Sequence, residues 1–277
     1  MSNQTIKFSV LMSVYHKENP IFLRNAIESV SIKQTIKPNE IVLIQDGPLT
    51  DELYHLIRYF ESELPYFKTY SMEKNSGLGK ALEYGVMKCT YDWIARMDSD
   101  DISIPDRFEK QVEYLEQHKN IDVLGSNITE FGENPEDVVA IKRMPNTHAD
   151  IRAMLRRRTP ICHVTAFIRK EKLLAAGGYQ DLPYVEDYYL WARMFVNSSQ
   201  FASVDESLVL VRVGNGMLAR RGNKQQILSW KILNDYMYKN GLVSYLDVII
   251  NKFLIRMFLY MPVRMKEVLY KKVLRKR

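Results

Sequence analysis

Cysteine is nearly absent from this chain. Only Cys89 and Cys162 occur, and neither belongs to a CxxC spacing or a Cys/His cluster, which excludes a disulfide framework and a cysteine-ligated zinc site. Linkers are missing as well. No stretch rich in Pro, Gly or Ser divides the 277 residues, and no repeat or low-complexity tract interrupts them. Long uncharged apolar runs are lacking. The most apolar region, from residue 246 onward, is broken by Lys252 and Arg256 and stopped by Pro262, so a membrane-crossing helix is not expected. The N-terminus has no charged segment leading into an apolar one, so no secretion signal is expected. Nor is there surplus charge in the body. Residues 240–277 hold nine Lys/Arg against two acids, which leaves 30 basic and 31 acidic residues elsewhere and accounts for the net of +6. A neutral body argues against nucleic acid as a partner. A basic, apolar end points instead to an anionic membrane surface.

What is present is ordinary globular composition, 46% hydrophobic and 26% charged, which excludes a disordered or collagenous chain. The first 130 residues alternate short apolar runs with helical patterns. Strands are expected at 7–14, 40–45, 67–71 and 93–97, with helices at 20–32, 50–60 and 78–89 between them. Such alternation predicts a mostly parallel sheet with helices on its faces and ligands at the carboxyl ends of its strands. Beyond residue 122 the pattern changes. Strands are expected at 123–131, 138–143 and 163–169, helices at 147–156 and 187–197, and an extended segment at 201–213. The remainder, from about residue 224, reads as a basic helical tail.

The densest chemistry is Arg96-Met97-Asp98-Ser99-Asp100-Asp101, with three carboxylates just after a buried strand. Clustered acids repel one another at neutral pH, and a hard divalent ion such as Mg²⁺ or Mn²⁺ is what carboxylate oxygens hold well. Continued strand geometry would put Asp98 and Asp100 on one side and turn Asp101 away. An acidic, solvated turn is the plainer alternative.

These residues sit within a wider pattern. The segments FSVLMSVYHKENPIFLRNAIESV, EIVLIQDGPLTDEL, NSGLGKALEYG, IARMDSDDISIPDRFEKQ and GGYQDLPYVEDYYLWARM, in that order, resemble the family 2 glycosyltransferases of the GT-A fold. The closest flavour is that of the bacterial enzymes that build O-antigen, capsule or exopolysaccharide. The resemblance covers about residues 7–222. It implies one glycosyltransferase domain over 1–223, with a nucleotide-binding half to about 122 and an acceptor half over 123–223, followed by the tail at 224–277.

The resemblance also implies roles. DSDD becomes the family's DxD motif, with Asp98 near the ribose and the metal and Asp100 as principal ligand of the diphosphate-bound ion. Val14 and Tyr15 line the nucleobase edge, where Tyr15 either stacks on the base or packs under a loop. Asp46 would accept the uracil N3–H, although the family's Asp-Asp-Gly-Ser is here Gln45-Asp46-Gly47-Pro48. Asn75 begins a glycine-bearing loop ahead of a helix, where phosphate is favoured, and Lys80 either meets the diphosphate or is a solvated charge. Arg96 holds the DxD loop or the donor. Arg212, Arg220 and Arg221 are the basic residues that close over the donor. The metal-ligating His found two residues after such an Arg in many relatives is here Gly214. Glu186-Asp187 matches the family's ED motif, with Asp187 as general base and Glu186 as the alternate base or a partner that orients the acceptor; ordinary dipole partners in a helix's first turn are the plainer alternative. Trp191, one turn on, either floors the acceptor sugar or lies in the core. His163 is a weaker acceptor-side candidate, a satisfied core histidine being the plainer alternative.

The expected activity is inverting, metal-dependent transfer of a hexose from a nucleotide sugar, UDP-linked by preference. The expected acceptor is a lipid-diphosphate-linked sugar at the cytoplasmic face of the inner membrane, with the tail in peripheral contact with anionic lipid, or else packed on the body or on another subunit with a solvated basic end. Two rival readings remain. A sugar nucleotidyltransferase would carry a glycine-rich basic loop after the first strand, and SVYHKENP has no glycine. A non-catalytic scaffold subunit would not be expected to keep both DSDD and ED.

Overall fold

The computed structural model describes residues 6–213, 224–261 and 265. Its elements in chain order are β1 (Phe8–Val14), α1 (Pro20–Val30), β2 (Glu40–Gln45), α2 (Asp51–Glu63), β3 (Phe67–Ser71), α3 (Leu78–Lys88) and β4 (Trp93–Arg96). There follow β5 (Ile102–Ser103), α4 (Arg107–Gln117), β6 (Val123–Phe131), β7 (Val138–Lys142), α5 (His148–Met154), β8 (Phe167–Arg169) and α6 (Lys170–Ala175). The last are α7 (Glu186–Val196), β9 (Phe201–Arg212), α8 (Lys224–Lys239) and α9 (Tyr245–Tyr260).

Local chemistry starts the helices where the sequence suggests. Asn19 accepts a hydrogen bond from the Ile21 amide and Pro20 fills the first turn of α1, where its missing N–H costs nothing. Thr50 caps α2, and Asp51 and Glu52 lie in its first turn, favourable against the helix dipole.

One mixed sheet runs β3-β2-β1-β4-β8-β6-β9-β5, with β7 paired to β6. β3, β2, β1 and β4 are mutually parallel. β8 pairs antiparallel with β4 and β6, and β6 runs parallel to β9. Register sets the site. Val14 lies opposite Gln45 and Leu11 opposite Arg96, so β1 and β2 end together and the parallel β4 leaves the sheet three residues earlier at the same end. Tyr15, Asp46 and the loop after Arg96 thereby share one edge. Side chains alternate across the strands. Val10, Met12, Ile41 and Leu43 join α1, α2 and α4 in one core. Leu11, Val42 and Ile44 join α3, α5, α6, α7 and α8 in the other.

Three local expectations are corrected. The helix α4 was not expected, because its buried face includes Arg107 and Gln111 beside Phe108, Val112 and Leu115, which hides the apolar period. The expected strand at 163–169 begins as a 3₁₀ turn over His163–Thr165, where the Thr165 hydroxyl returns to the Cys162 carbonyl at 2.8 Å. β4 ends at Arg96, so Asp98–Asp101 lie in a bend and strand alternation does not place them.

The tail helices are seated on the body. Tyr188 of α7 meets Trp230 of α8 edge-on at 5.6 Å, and Leu233 and Met237 are fully buried in the second core. A capping box of Ser244 and Asp247 opens α9. The same Asp247 receives Arg156 at 3.0 Å and Arg157 at 2.6 Å. Burial pulls the Asp247 carboxyl upward, but the Ser244 amide and hydroxyl and both arginines outweigh it and hold it well below its ordinary value. Asp247→Ala is expected to cost about 2 kcal/mol, as for hydrogen bonds to a charged group. A fall of roughly 5 °C in Tm checks it.

Candidate active site

The site is built outward from the shared strand edge. Asp46 follows β2, and its carboxylate accepts the Ser76 amide at 2.7 Å and the Gly77 amide at 3.0 Å. The Asn75 side chain donates to the Asp46 carbonyl at 3.3 Å. Asp46 therefore organises the loop ahead of α3. The preceding Gln45 accepts the Ser71 hydroxyl of β3 at 2.9 Å. The turn demands glycine at 47. Its φ is +83°, and a Cβ there would lie 2.4 Å from the Asn75 nitrogen. Gly47→Ala is expected to cost about 1–3 kcal/mol in backbone strain and to lower hydrogen-exchange protection at the Ser76 and Gly77 amides.

The acidic bend follows β4. The Arg96 guanidinium, itself buried, donates to the Met97 carbonyl and pairs with Asp98. Arg107 reaches the Arg96 carbonyl from below at 2.8 Å. Burial, then the neighbouring Arg96 charge, pushes the Arg107 guanidinium down to about 9. Asp101 turns inward and is buried. Burial, then Asp98 and Asp100, pushes it well above its ordinary value, and it accepts the Arg212 amide at 2.8 Å. Arg212 helps to hold this bend. Its guanidinium donates to the Asp100 and Glu133 carbonyls and stacks 3.8 Å over Phe22.

Asp98 and Asp100 are the half-buried acids of the bend. The Asp98 side chain is 36% exposed. Burial, then Asp98 and Glu18, pushes the Asp100 carboxyl up to about 6. Glu18 was not singled out in the sequence. It comes from the loop after β1 and accepts the Ser99 hydroxyl. Among the described residues no three Asp, Glu, His or Cys side chains gather to hold an ion alone. Mg²⁺-type ions are commonly held by one or two carboxylates together with phosphate oxygens and water. Two like charges crowded at a half-buried edge fit such a shared ion.

The second acidic pair opens α7. It follows Tyr184, a non-glycine residue at φ 74°, a strained conformation of the kind that functional loops store. Asp187 receives the Thr159 hydroxyl at 3.0 Å. Burial raises its carboxyl above the ordinary aspartate value, against hydrogen bonds from the Tyr188 amide and Thr159. Burial, reinforced by Asp187, lifts Glu186 to about 7. The first turn of α7 lies against α3. A Cβ on Gly79, in the first turn of α3, would lie 3.3 Å from Glu186 Cγ. Tyr179 lies within electrostatic reach of Arg96, Asp187 and Asp98, and its hydroxyl meets His163 Nε2 at 2.8 Å.

Several expected residues are placed differently. Trp191 is fully buried, so its ring belongs to the core and cannot floor a sugar here. His163 is held by Tyr179 beneath the site. Arg193, seven residues after Glu186 on α7, donates to the Ala176 and Gly178 carbonyls. Lys80 pairs with Asp181 at 3.4 Å and ties α3 to the loop before α7. Tyr15 is half-buried beside His16, and Val14 is buried. Arg220, Arg221 and Gly214 lie outside the described residues. A groove of about 620 Å³ between Met72, Lys74, Ser76, Lys80, Tyr84 and Met87 borders the edge, but none of Asp46, Asp98, Asp100 or Asp187 lines it.

Residues 9–177 match the model of glycosyl transferase family 2. The chain belongs to that family and is a glycosyltransferase. An uncharacterized glycosyltransferase of Haemophilus influenzae is 42% identical over 274 residues, 98% of this chain and 100% of that one. The UDP-Gal:alpha-D-GlcNAc-diphosphoundecaprenol beta-1,3-galactosyltransferase of Escherichia coli is 34% identical over 277 residues, 100% of this chain and 99% of that one. Among solved structures, S. aureus TarS 1-349 in complex with UDP-GlcNAc has a TM-score of 0.70 at 18% identity, over 97% of this chain and 76% of that one. That likeness is one of fold, and the fold is GT-A.

Proposed function

We propose that this glycosyltransferase moves a hexose from a UDP-sugar to a hydroxyl of a lipid-diphosphate-linked sugar, with inversion at the anomeric carbon. The observation that carries the reading is the buried His163–Tyr179 pair, whose Tyr179 lies within electrostatic reach of both Asp98 and Asp187. Full-length similarity to a protein named for UDP-Gal and GlcNAc-diphosphoundecaprenol supports the choice of donor and acceptor class.

In this reading Val14, Tyr15 and Asp46 receive the nucleoside. The Asp46 oxygens already accept the Ser76 and Gly77 amides, and each keeps a lone pair that uracil N3–H can use. Asn75 and the loop it opens line the diphosphate side, with Arg220 and Arg221 as further donor contacts. Asp100, with Asp98, would hold Mn²⁺ or Mg²⁺, which when bound neutralises charge developing on the leaving nucleotide. Arg96 fixes Asp98 from beneath, and Arg212 fixes the bend from the side. Asp187 takes the acceptor hydroxyl's proton and aims its oxygen, held in place by Thr159. Glu186 stands beside it as an orienting carboxyl.

No helix among the described residues is long and apolar enough to cross a membrane. Leu246, Ile249, Phe253 and Met257 are nevertheless exposed along α9. With the basic residues that follow, they support peripheral contact with anionic lipid at the cytoplasmic face, where a lipid-linked acceptor would be met. The test is a panel of UDP-, GDP-, CMP- and dTDP-sugars with Mn²⁺ or Mg²⁺ and a synthetic lipid-diphosphate GlcNAc, with product read by mass. Product from one UDP-sugar, lost with chelator, is expected. Product from a donor of another base, or from a UDP-sugar despite chelator, contradicts the donor or the metal assignment respectively.

A further inference from the structure

The short segment at residues 155–160 links the acceptor side of the site to the tail. Its Thr159 donates to Asp187 at 3.0 Å. Its Arg156 and Arg157 are both taken up by Asp247 of α9. Arg158 stands between these two anchorages. Its side chain is exposed, and it makes no ion pair or side-chain hydrogen bond among the described residues. Lys142, at the end of β7, is half-buried and likewise without an ion pair among the described residues. It is near enough for its charge to act on Asp187. Lys142 is thus an unspent cation within electrostatic reach of Asp187, and Arg158 is a second, adjacent in the chain to the Thr159 that holds that carboxylate.

We propose that Arg158, with Lys142, seats the diphosphate of the acceptor. The inference rests on Asp187 being the base and on a lipid-diphosphate acceptor, and it names where that diphosphate lies. The sugar hydroxyl that reacts is one pyranose ring away from the phosphate it hangs on. A phosphate site must therefore border the base closely, and Arg158 is the residue before the one that holds the base. The guanidinium fork matches phosphate oxygens in a way that an ammonium does not. The direction of the lipid is also given. On the far side of the same segment lies α9, fastened by Asp247, with Leu246, Ile249, Phe253 and Met257 facing outward. Sugar at Asp187, diphosphate at Arg158 and hydrocarbon toward α9 form one continuous path. The donor diphosphate does not compete for these cations, because its expected place is the strand edge at Asp98 and Asp100.

The experiment compares two synthetic acceptors of equal alkyl length, GlcNAc-diphosphate-alkyl and GlcNAc-alkyl, with wild type, Arg158→Ala, Arg158→Lys and the double variant Arg158→Ala/Lys142→Ala. Steady-state turnover is read beside direct binding of each acceptor in phosphatidylcholine vesicles, so that an inactive variant still reports. Wild type is expected to prefer the diphosphate acceptor. Arg158→Ala is expected to lose about tenfold or more in affinity for it, through acceptor KM. The donor KM, and binding of the acceptor lacking diphosphate, should not change, and Arg158→Lys should restore part of the loss. If wild type treats both acceptors alike, the lipid-diphosphate reading itself fails. If wild type prefers the diphosphate and the double variant keeps the whole preference, that reading stands and the Arg158 seat is overturned.

Discussion

Asp187→Asn is expected to lower glycosyl transfer by about 10²–10⁴-fold, the usual worth of a positioned general base, while the protein stays folded. An asparagine oxygen can still accept the Thr159 hydroxyl that the carboxylate accepts at 3.0 Å, so α7 keeps its anchorage and only the proton acceptor is removed. The pH profile separates this from a structural defect. Burial raises the Asp187 carboxyl above the ordinary aspartate range, and a base acts in its ionised form. Turnover should therefore fall as pH drops through that raised value, with the acid limb above the usual aspartate position. Thr159→Val removes a hydrogen bond that favours the ionised form, so it should move the limb further up. Near-normal turnover in folded Asp187→Asn would reassign the base. Glu186, lifted to about 7 by burial and by Asp187, would be the next candidate, and Glu186→Gln the variant to compare.

Asp100→Asn is expected to abolish metal-dependent transfer and yet raise thermal stability in the absence of divalent ions. Burial, together with Asp98 and Glu18, opposes its charge, and neutralising one member of a like-charge cluster relieves that repulsion. With Mn²⁺ and UDP present the order should reverse. Wild type gains Tm from a ligand that binds only the folded state, and the variant gains little. Scanning calorimetry with and without Mn²⁺ and UDP checks both signs. A variant that is less stable without metal, or that gains as much as wild type with it, would remove Asp100 from the metal site.

Much of the fold was legible because period and punctuation agreed. Residues 8–14 and 40–45 are short apolar runs, and Pro20, Thr50 and the Gly177-Gly178 pair stand where helices start or stop. What escaped was whatever needs a partner far along the chain. α4 was hidden because Arg107 and Gln111 lie on its buried face, satisfied by Arg96 and by the Thr165 carbonyl. The acids at 98, 100 and 187 stood out as types at strand and helix ends. Their supports did not. Glu18 meets Ser99 across 81 residues, and Thr159 meets Asp187 across 28. Asp46 is instructive, since the strand end and the residue type were plain, while the two backbone amides it gathers could not be read. Trp191 shows the limit of helical spacing. It does lie one turn after Asp187, but only the first turn of α7 reaches the site and the next is already core.

The account turns on in-line attack aided by Asp187, and stereochemistry tests it most directly. The measurement is the anomeric configuration, by NMR, of the new glycosidic bond made from an α-linked UDP-sugar and the lipid-diphosphate acceptor. A β-linked product is predicted. An α-linked product would contradict the account, because retention has no use for a carboxylate that deprotonates the acceptor for attack from the opposite face.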